Sequence, residues 1–320
     1  MSKMKGEKNM IKLFTHIDLD GVGCAVLAKI ASSQMDELVE IEYCEAGNDV
    51  NEKVRKFLSD EMHCKKYNKI FITDLSVNDE LAKEINEHYN NFYLLDHHPT
   101  ALSLNKYSWC KVQVKNEIKN INTSGTELYY NWLVNNHYLY NSEVLNRFVE
   151  LVRDYDTWRW AELGEDGVIC KKVNDLLHLY GIEKFTTWCI SEIHDCVFPR
   201  LYEADRLVLK IKQNEIDAYV EEKDTQMIAI DIAGFNCGIV FAEQYFSELG
   251  NRLCKMHPEI DFVAMIDMGS KDISYRTIKE DINLGQGIAA ILGGGGHPKA
   301  AGSPIPNKFQ IDVIKTLFQL

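Results

Sequence analysis

Four short stretches of this chain put histidines and aspartates where they could act together. KLFTHIDLDG carries His16, Asp18 and Asp20, and KIFITDLS carries Asp74. NFYLLDHHP carries Asp96, His97 and His98, and FVELVRDYDTW carries Asp154 and Asp156. Taken singly, an aspartate behind a strand is commonly a helix cap, and Asp74 ahead of VNDELAK or Asp154 in a turn fits that role. Taken together, so many ionisable groups converging on one sheet edge would repel one another severely unless cations neutralised them. Carboxylates with imidazoles and no thiolate suit Mn²⁺ or Mg²⁺, with Mn²⁺ or Co²⁺ favoured by the histidines and zinc less expected. His16 and Asp18 are expected on one ion and Asp20 on another, with Asp74 bridging them. Two such ions about 3.5 to 4 Å apart activate a shared water as hydroxide and clamp both oxygens of an in-line displacement, the chemistry of phosphoester hydrolysis.

These side chains meet only if the intervening elements bring them together. Up to about residue 155, short apolar runs alternate with helical segments, which predicts a parallel sheet flanked by helices. Strands are expected at Ile11 to Thr15, Val39 to Cys44, Lys69 to Thr73, Phe92 to Leu95 and Cys110 to Val114. Helices are expected at Val22 to Ser32, Asp49 to Leu58, Asn78 to Tyr89, Glu127 to Asn135 and Ser142 to Arg153. The spacing of Leu81, Ile85 and Tyr89 illustrates the helical period. In an open α/β sheet, ligands gather beyond the carboxyl ends of the strands, where three of the four stretches fall. The fourth follows a helix.

The stretch from Arg200 to Lys223 has no Gly or Pro and reads as one extended helix suited to joining two domains. Beyond it, MIAIDIAGFNCGIVFA reads as two strands around a glycine turn, and FVAMIDMG and DISYRT as a hairpin through Gly269, Ser270 and Lys271. The expected organisation is an α/β catalytic domain over 1–198, a linker helix over 199–225 and a smaller α+β domain over 226–320. Trp160 to Phe198 is expected to be a helical extension of the first domain. At 320 residues the chain also exceeds the usual size of a single core.

Composition narrows the function classes. No apolar run approaches the roughly 20 residues that span a bilayer, so no membrane association is expected. MSKMKGEKNM leads directly into a strand-like segment without a secretory core, and a cytoplasmic protein is expected. Nine cysteines, an odd number without a CxxC pair, indicate reduced and mostly buried thiols, not a disulfide framework or a zinc ribbon. A net charge of −13 argues against a protein that coats long duplex nucleic acid, because that affinity comes from Lys and Arg on phosphates. Nucleic acid held locally is compatible with it, since bound metals would offset clustered carboxylates.

HIDLDG, ITDLS, LLDHHP and VRDYDTW, in this order and at these separations, resemble the four motifs of the DHH phosphoesterases. GGGGHPKAAG at 293–302 resembles the glycine-rich signature of the accompanying DHHA1 domain. The resemblance spans nearly the whole chain. It implies His16, Asp18 and Asp74 on one metal, and Asp20, Asp74, His97 and Asp154 on the second, with Asp156 as the alternative to Asp154. It also implies that the bridging Asp74 and His98 are catalytic, His98 facing the substrate phosphate as donor or acid, and that Asp96 orients an imidazole from behind.

The glycine-rich loop has its own chemistry. Glycines let backbone amides approach an anion closely and adopt positive φ, and four in a row before His-Pro-Lys exceed the needs of a turn. The resemblance implies that Gly294, Gly295, Gly296, His297 and Lys299 hold the far end of a nucleotide together with Arg276 of ISYRT, whose guanidinium can grip phosphate bidentately. Within the family the chain looks most like short-RNA exonucleases of the oligoribonuclease B type. The implied activity is two-metal hydrolysis of short single-stranded RNA to mononucleotides. Phosphodiesterases of linear or cyclic dinucleotides and 3′-phosphoadenosine 5′-phosphate phosphatases are the competing readings, and a non-catalytic nucleotide-binding regulator is a more distant one. The assembly is left open, with room for a homodimer.

Overall fold

The structure, a computed structural model, describes residues 9–232, 234–305 and 307–318. Ile11, Leu13, Phe14 and Thr15 are all buried, so the strand they belong to, β1 (Met10–His16), is covered on both faces. Burial on both faces marks an interior strand of a parallel sheet. The chain continues through α1 (Leu19–Met35), β2 (Leu38–Cys44), α2 (Asn48–Leu58), the single turn α3 (Glu61–Cys64), β3 (Tyr67–Thr73), α4 (Asp79–His88), β4 (Phe92–Asp96) and β5 (Cys110–Val112). These five strands pair in parallel in the order β2-β1-β3-β4-β5. The order reverses between β1 and β3, and a crevice is expected beyond the carboxyl ends of the strands at such a switch.

Helices cover both faces. Val50 and Val54 of α2 and Leu81 and Ile85 of α4 are buried against Phe14 and Ile72. After the small hairpin β6 (Lys115–Asn116) and β7 (Ile121–Asn122), the chain forms α5 (Gly125–Asn135) and α6 (Glu143–Asp156). On the α5 side, the Phe71 ring meets Tyr129 and Trp132 at centroid distances of 5.0 and 4.8 Å. α7 (Glu165–Tyr180) and α8 (Ile182–His194) complete the helical extension expected there.

Several boundaries differ from expectation by one to three residues; α6, for example, runs on to Asp156 and does not end at Arg153. α1 begins at Leu19, not Val22, because the Asp18 side chain accepts a hydrogen bond from the Gly21 amide at 3.0 Å and caps the helix three residues early. Asp20 therefore sits in a helical first turn. The fifth strand stops at Val112, not Val114.

Compact units divide at Asp205 and Arg206, near the start of α9 (Glu203–Gln226). Most of the helix expected to link the domains belongs to the second unit, where Ile216 and Val220 are buried with Leu249 and Leu253. The second unit contains β8 (Ile228–Ile232), β9 (Phe235–Phe241), α10 (Phe246–Met256), β10 (Phe262–Asp267), β11 (Asp272–Arg276), β12 (Gly295–Gly296), β13 (Ala300–Pro304) and α11 (Asn307–Phe318). Its mixed sheet runs β12-β13-β11-β10-β9-β8, parallel only between β9 and β10. The expected hairpins are β8–β9, turning at Gly234 (φ +86°), and β10–β11, turning through Gly269, Ser270 and Lys271. All nine cysteines are free and eight are buried. No described helix is long and apolar enough to cross a membrane.

Candidate metal centre

Three strand ends supply the first components: His16 closes β1, Asp74 directly follows β3, and Asp96 closes β4. Asp74 has φ +58°, a left-handed conformation that costs a non-glycine residue about 1 kcal/mol or more. Its amide donates to Leu95 O at 3.0 Å, which ties this bend to the neighbouring strand. A Cβ on Gly125 would lie 2.6 Å from the Asp74 Cβ, so a bare glycine is what lets the start of α5 seat against the bend. The α5 start also holds Asp20. The Gly125 and Thr126 amides donate to its two carboxylate oxygens at 2.5 and 2.9 Å, the usual affinity of a helix N-terminus for negative charge.

Around Asp74 the ligand-type atoms converge. His97 Nε2 lies 3.2 Å from Asp74 Oδ1, 3.7 Å from Asp20 Oδ2 and 3.5 Å from Asp156 Oδ2. His16 Nδ1 lies 2.8 Å from Asp18 Oδ2 and 3.8 Å from Asp74 Oδ2. One oxygen of Asp74 thus faces the His97 group and the other the His16 group, the disposition a bridging carboxylate needs. Three sets, His16 with Asp18 and Asp74, Asp20 with His97 and Asp156, and Asp74 with Asp96, His97 and His98, each have ligand atoms within 4.8 Å of one another, and the third shares a residue with each of the other two.

The donor atoms fit a cation better than they fit one another. Asp74 Oδ2, His97 Nε2 and Asp156 Oδ2 are buried without a hydrogen-bond partner among the described residues, although buried polar groups are nearly always satisfied. Burial and the carboxylates of Asp20, Asp18 and Asp156 push the Asp74 carboxyl well above its usual range. Burial and neighbouring carboxylates, chiefly Asp20, do the same to Asp156. Burial lowers the His97 imidazole and so favours its neutral, ligating form. Carboxylates this reluctant to ionise are held as anions only where positive charge accompanies them.

Of the two aspartates in the fourth stretch, the structure turns Asp156, the alternative, and not Asp154 toward the cluster. Both aspartates lie on α6, and residues two apart on a helix point roughly 200° from each other, so only one can face the cluster. That one is Asp156. Asp154 Oδ1 instead accepts from Arg153 Nε and Nη2 at 3.0 and 2.9 Å and from Arg159 Nη1 at 3.1 Å. The buried Arg153 also reaches Glu127 of α5 at 3.3 Å. Arg153 was missed in the sequence because nothing local distinguishes it from a surface cation. The α5 start was within reach, since Ser124 to Glu127 is a capping-box pattern and Ser124 does accept from the Glu127 amide at 3.2 Å.

Asp96 lies behind an imidazole, and the imidazole is that of His98. Fully buried Asp96 accepts from His98 Nδ1 at 2.7 Å, from the His97 amide at 2.7 Å and from the Ser76 hydroxyl. Burial alone would lower the His98 pKa, but the hydrogen bond and charge of Asp96 outweigh it and raise the value. The His98 side chain is 38% exposed.

The remaining predicted residues lie in the second unit. Arg276 on β11 pairs with Ala300 on β13, beside the glycine loop, and its Nη2 donates to Ser247 Oγ at 3.0 Å. Lys299 pairs with Glu280 at 3.0 Å. A Cβ at Gly294 would meet Gly302 O at 2.0 Å, and Gly296 has φ +136°, so both glycines serve the packing of β12 on β13. A Cβ at Gly295 would meet none of the described residues within 4 Å. The His297 amide donates to Ala300 O at 2.8 Å in the turn.

No protein-family model matches the chain. It is 38% identical over 304 residues to oligoribonuclease NrnB of Bacillus subtilis (strain 168), covering 93% of this chain and 74% of that protein. Exonuclease RecJ bound to manganese superposes with a TM-score of 0.58 at 13% identity, over 93% of this chain and 86% of that one. RecJ from Thermus thermophilus in complex with Mn²⁺ gives 0.60 at 13% identity, over 93% and 50% of the respective chains. The RecJ likeness is one of fold. The likeness to NrnB is one of sequence along nearly the whole chain, and on that ground the chain belongs to the oligoribonuclease NrnB family of DHH phosphoesterases.

Proposed function

We propose that this protein is a metal-dependent phosphodiesterase that degrades short single-stranded RNA to mononucleotides. The observation that carries this reading is the set of unpartnered buried donors, Asp74 Oδ2, His97 Nε2 and Asp156 Oδ2, gathered beyond the sheet edge of a chain related to an oligoribonuclease. His16, Asp18 and Asp74 would hold one divalent cation, and Asp20, Asp74, His97 and Asp156 the other. Their oxygen and imidazole donors favour Mn²⁺, with Mg²⁺ or Co²⁺ as substitutes. When bound, such a pair supplies Lewis-acid stabilisation of the phosphate oxygens and an acidified water.

The chain's own residues supply the rest. Asp74 sets the separation of the two ligand groups through its two oxygens. Asp96 fixes the His98 ring by the bond to Nδ1, and the imidazole so oriented would donate to a phosphate oxygen. In the second unit, Arg276 and the glycine loop of Gly294, Gly295 and Gly296 would bind a nucleotide phosphate, with His297 and Lys299 beside them. The net charge of −13 keeps long duplexes off the surface. The reduced thiols fit a cytoplasmic setting.

We infer a homodimer closed through β8. All five residues of this outermost strand are exposed, Ile228, Ile230 and Ile232 by 60, 46 and 45%. An apolar edge of this kind is a template for another strand. Read in reverse, IAIDI keeps its three isoleucines in place, so antiparallel pairing of two copies about Ile230 would set Ile228 against Ile232 and Ala229 against Asp231.

One panel tests the activity. With Mn²⁺, the protein is given an RNA pentamer, a cyclic dinucleotide, 3′-phosphoadenosine 5′-phosphate and pyrophosphate. The pentamer should be consumed fastest and converted to mononucleotides. Faster turnover of the cyclic dinucleotide or of the phosphoadenosine would replace the RNA assignment with that substrate, and no turnover of any would reject catalysis.

A further inference from the structure

The motif that supplies Asp156 continues as Thr157-Trp158-Arg159-Trp160, and the metal centre uses none of these aromatic rings. Trp158 follows the end of α6 by two residues and has φ +62°. For so bulky a residue a left-handed backbone is an outlier that the surroundings must enforce. The enforcement is visible. The Trp158 amide donates to Tyr155 O at 3.1 Å, and Thr157 Oγ1 donates to Arg153 O at 2.8 Å. The following 3₁₀ turn, Arg159–Glu162, packs so tightly on α7 that a Cβ at Gly167 would fall 1.8 Å from the Trp160 carbonyl oxygen.

This clamped turn builds a row of rings. Trp160 stacks on Tyr155 at 5.9 Å and 17°, and Trp158 lies against Trp160 at 5.4 Å and 35°. Trp158 ends the row and is half-buried, with part of its surface open to solvent. A turn that served only to end α6 would not require tryptophan in a conformation that disfavours it. A rigid aromatic surface two residues from a phosphate-site carboxylate has an evident use, because every nucleobase offers a π-face of matching size.

We propose that Trp158, backed by Trp160 and Tyr155, is a stacking platform for a nucleobase adjoining the phosphate at the metal centre. The proposal rests on the short-RNA reading and specifies where one base of that substrate binds. It assigns Trp158 to binding and not to bond breaking. The platform discriminates little among bases, since stacking reads no hydrogen-bond pattern.

Calorimetric titration of the Mn²⁺-loaded protein with AMP and with ribose 5-phosphate isolates the contribution of the base. The wild type should bind AMP about tenfold or more tightly than ribose 5-phosphate, as expected from stacking of one base. Trp158→Leu, which keeps an apolar side chain but removes the ring, should bring that ratio near one and leave ribose 5-phosphate affinity unchanged. Trp158→Phe should retain most of the preference, and both variants should melt close to the wild type. A base preference that survives in Trp158→Leu, or its absence from the wild type, overturns the platform. Failure of the wild type to cleave the RNA pentamer would instead overturn the substrate assignment, and the AMP ratio is read independently of it.

Discussion

Asp154 and Asp156 are chemically identical and two positions apart, yet their surroundings give them opposite work. Asp156 turns a buried, unsatisfied oxygen toward His97, whereas Asp154 is neutralised by Arg153 and Arg159. Replacing each by asparagine should separate the two roles. Asp156→Asn should weaken Mn²⁺ binding by about tenfold or more and remove nearly all turnover. The metal-free protein should melt no lower than the wild type, because one of several mutually repelling carboxylates is gone. Asp154→Asn leaves the buried Arg153 without one of its anions and should destabilise the fold by roughly 3 kcal/mol, with Mn²⁺ affinity largely kept. Melting curves with and without Mn²⁺, together with calorimetric titration of the metal, check both. Loss of Mn²⁺ affinity in the Asp154 variant with retention in the Asp156 variant would reverse the assignment.

The cluster depends equally on how α5 begins. Its first residue, Gly125, lies against Asp74, and its first amides hold Asp20, so one helix end positions two of the carboxylates. Gly125→Ala would add a methyl group 2.6 Å from the Asp74 Cβ, and the helix start must shift to relieve it. Overpacking of this kind costs about 1 to 3 kcal/mol. Because Asp20 and Asp74 face His97 within 3.7 Å, the shift should lower kcat by more than tenfold while the circular-dichroism spectrum stays native. Full activity in this variant would show that α5 does not set the site. The capping pattern at Ser124 to Glu127 marks where this helix starts, but the need for glycine at 125 is a contact with a residue 51 positions earlier. No local pattern records it.

At the scale of the whole molecule, the exposed β8 edge makes a claim about assembly. Ile230→Lys places a charge at the centre of the inferred strand pair and faces its own copy across the two-fold axis, where like charges repel. Sedimentation should then move from dimer to monomer, with the melting temperature of the chain little changed. A wild type that sediments as a monomer at micromolar concentration would remove the inference. The two-unit organisation was expected from length and pattern, but the division falls near the beginning of α9 and not at a separate linker. The reason is that Ile216 and Val220 are buried in the second core, a fact that the helical period alone does not assign to either unit.

Much could be read from the chain in one dimension. Alternating apolar runs and helical segments specify a parallel sheet, because only helical crossovers join parallel strands, and that sheet places the residues after β1, β3 and β4 at one edge. The residue types themselves indicate cations, since carboxylates and imidazoles without thiolate have few other reasons to gather. What tertiary structure decided was direction. The helical turn between Asp154 and Asp156, the early cap that draws Asp20 into α1, and the bond that joins Asp96 to His98 all depend on the orientation of a side chain. Orientation is set by packing between residues far apart in the chain, and spacing along one segment does not encode it.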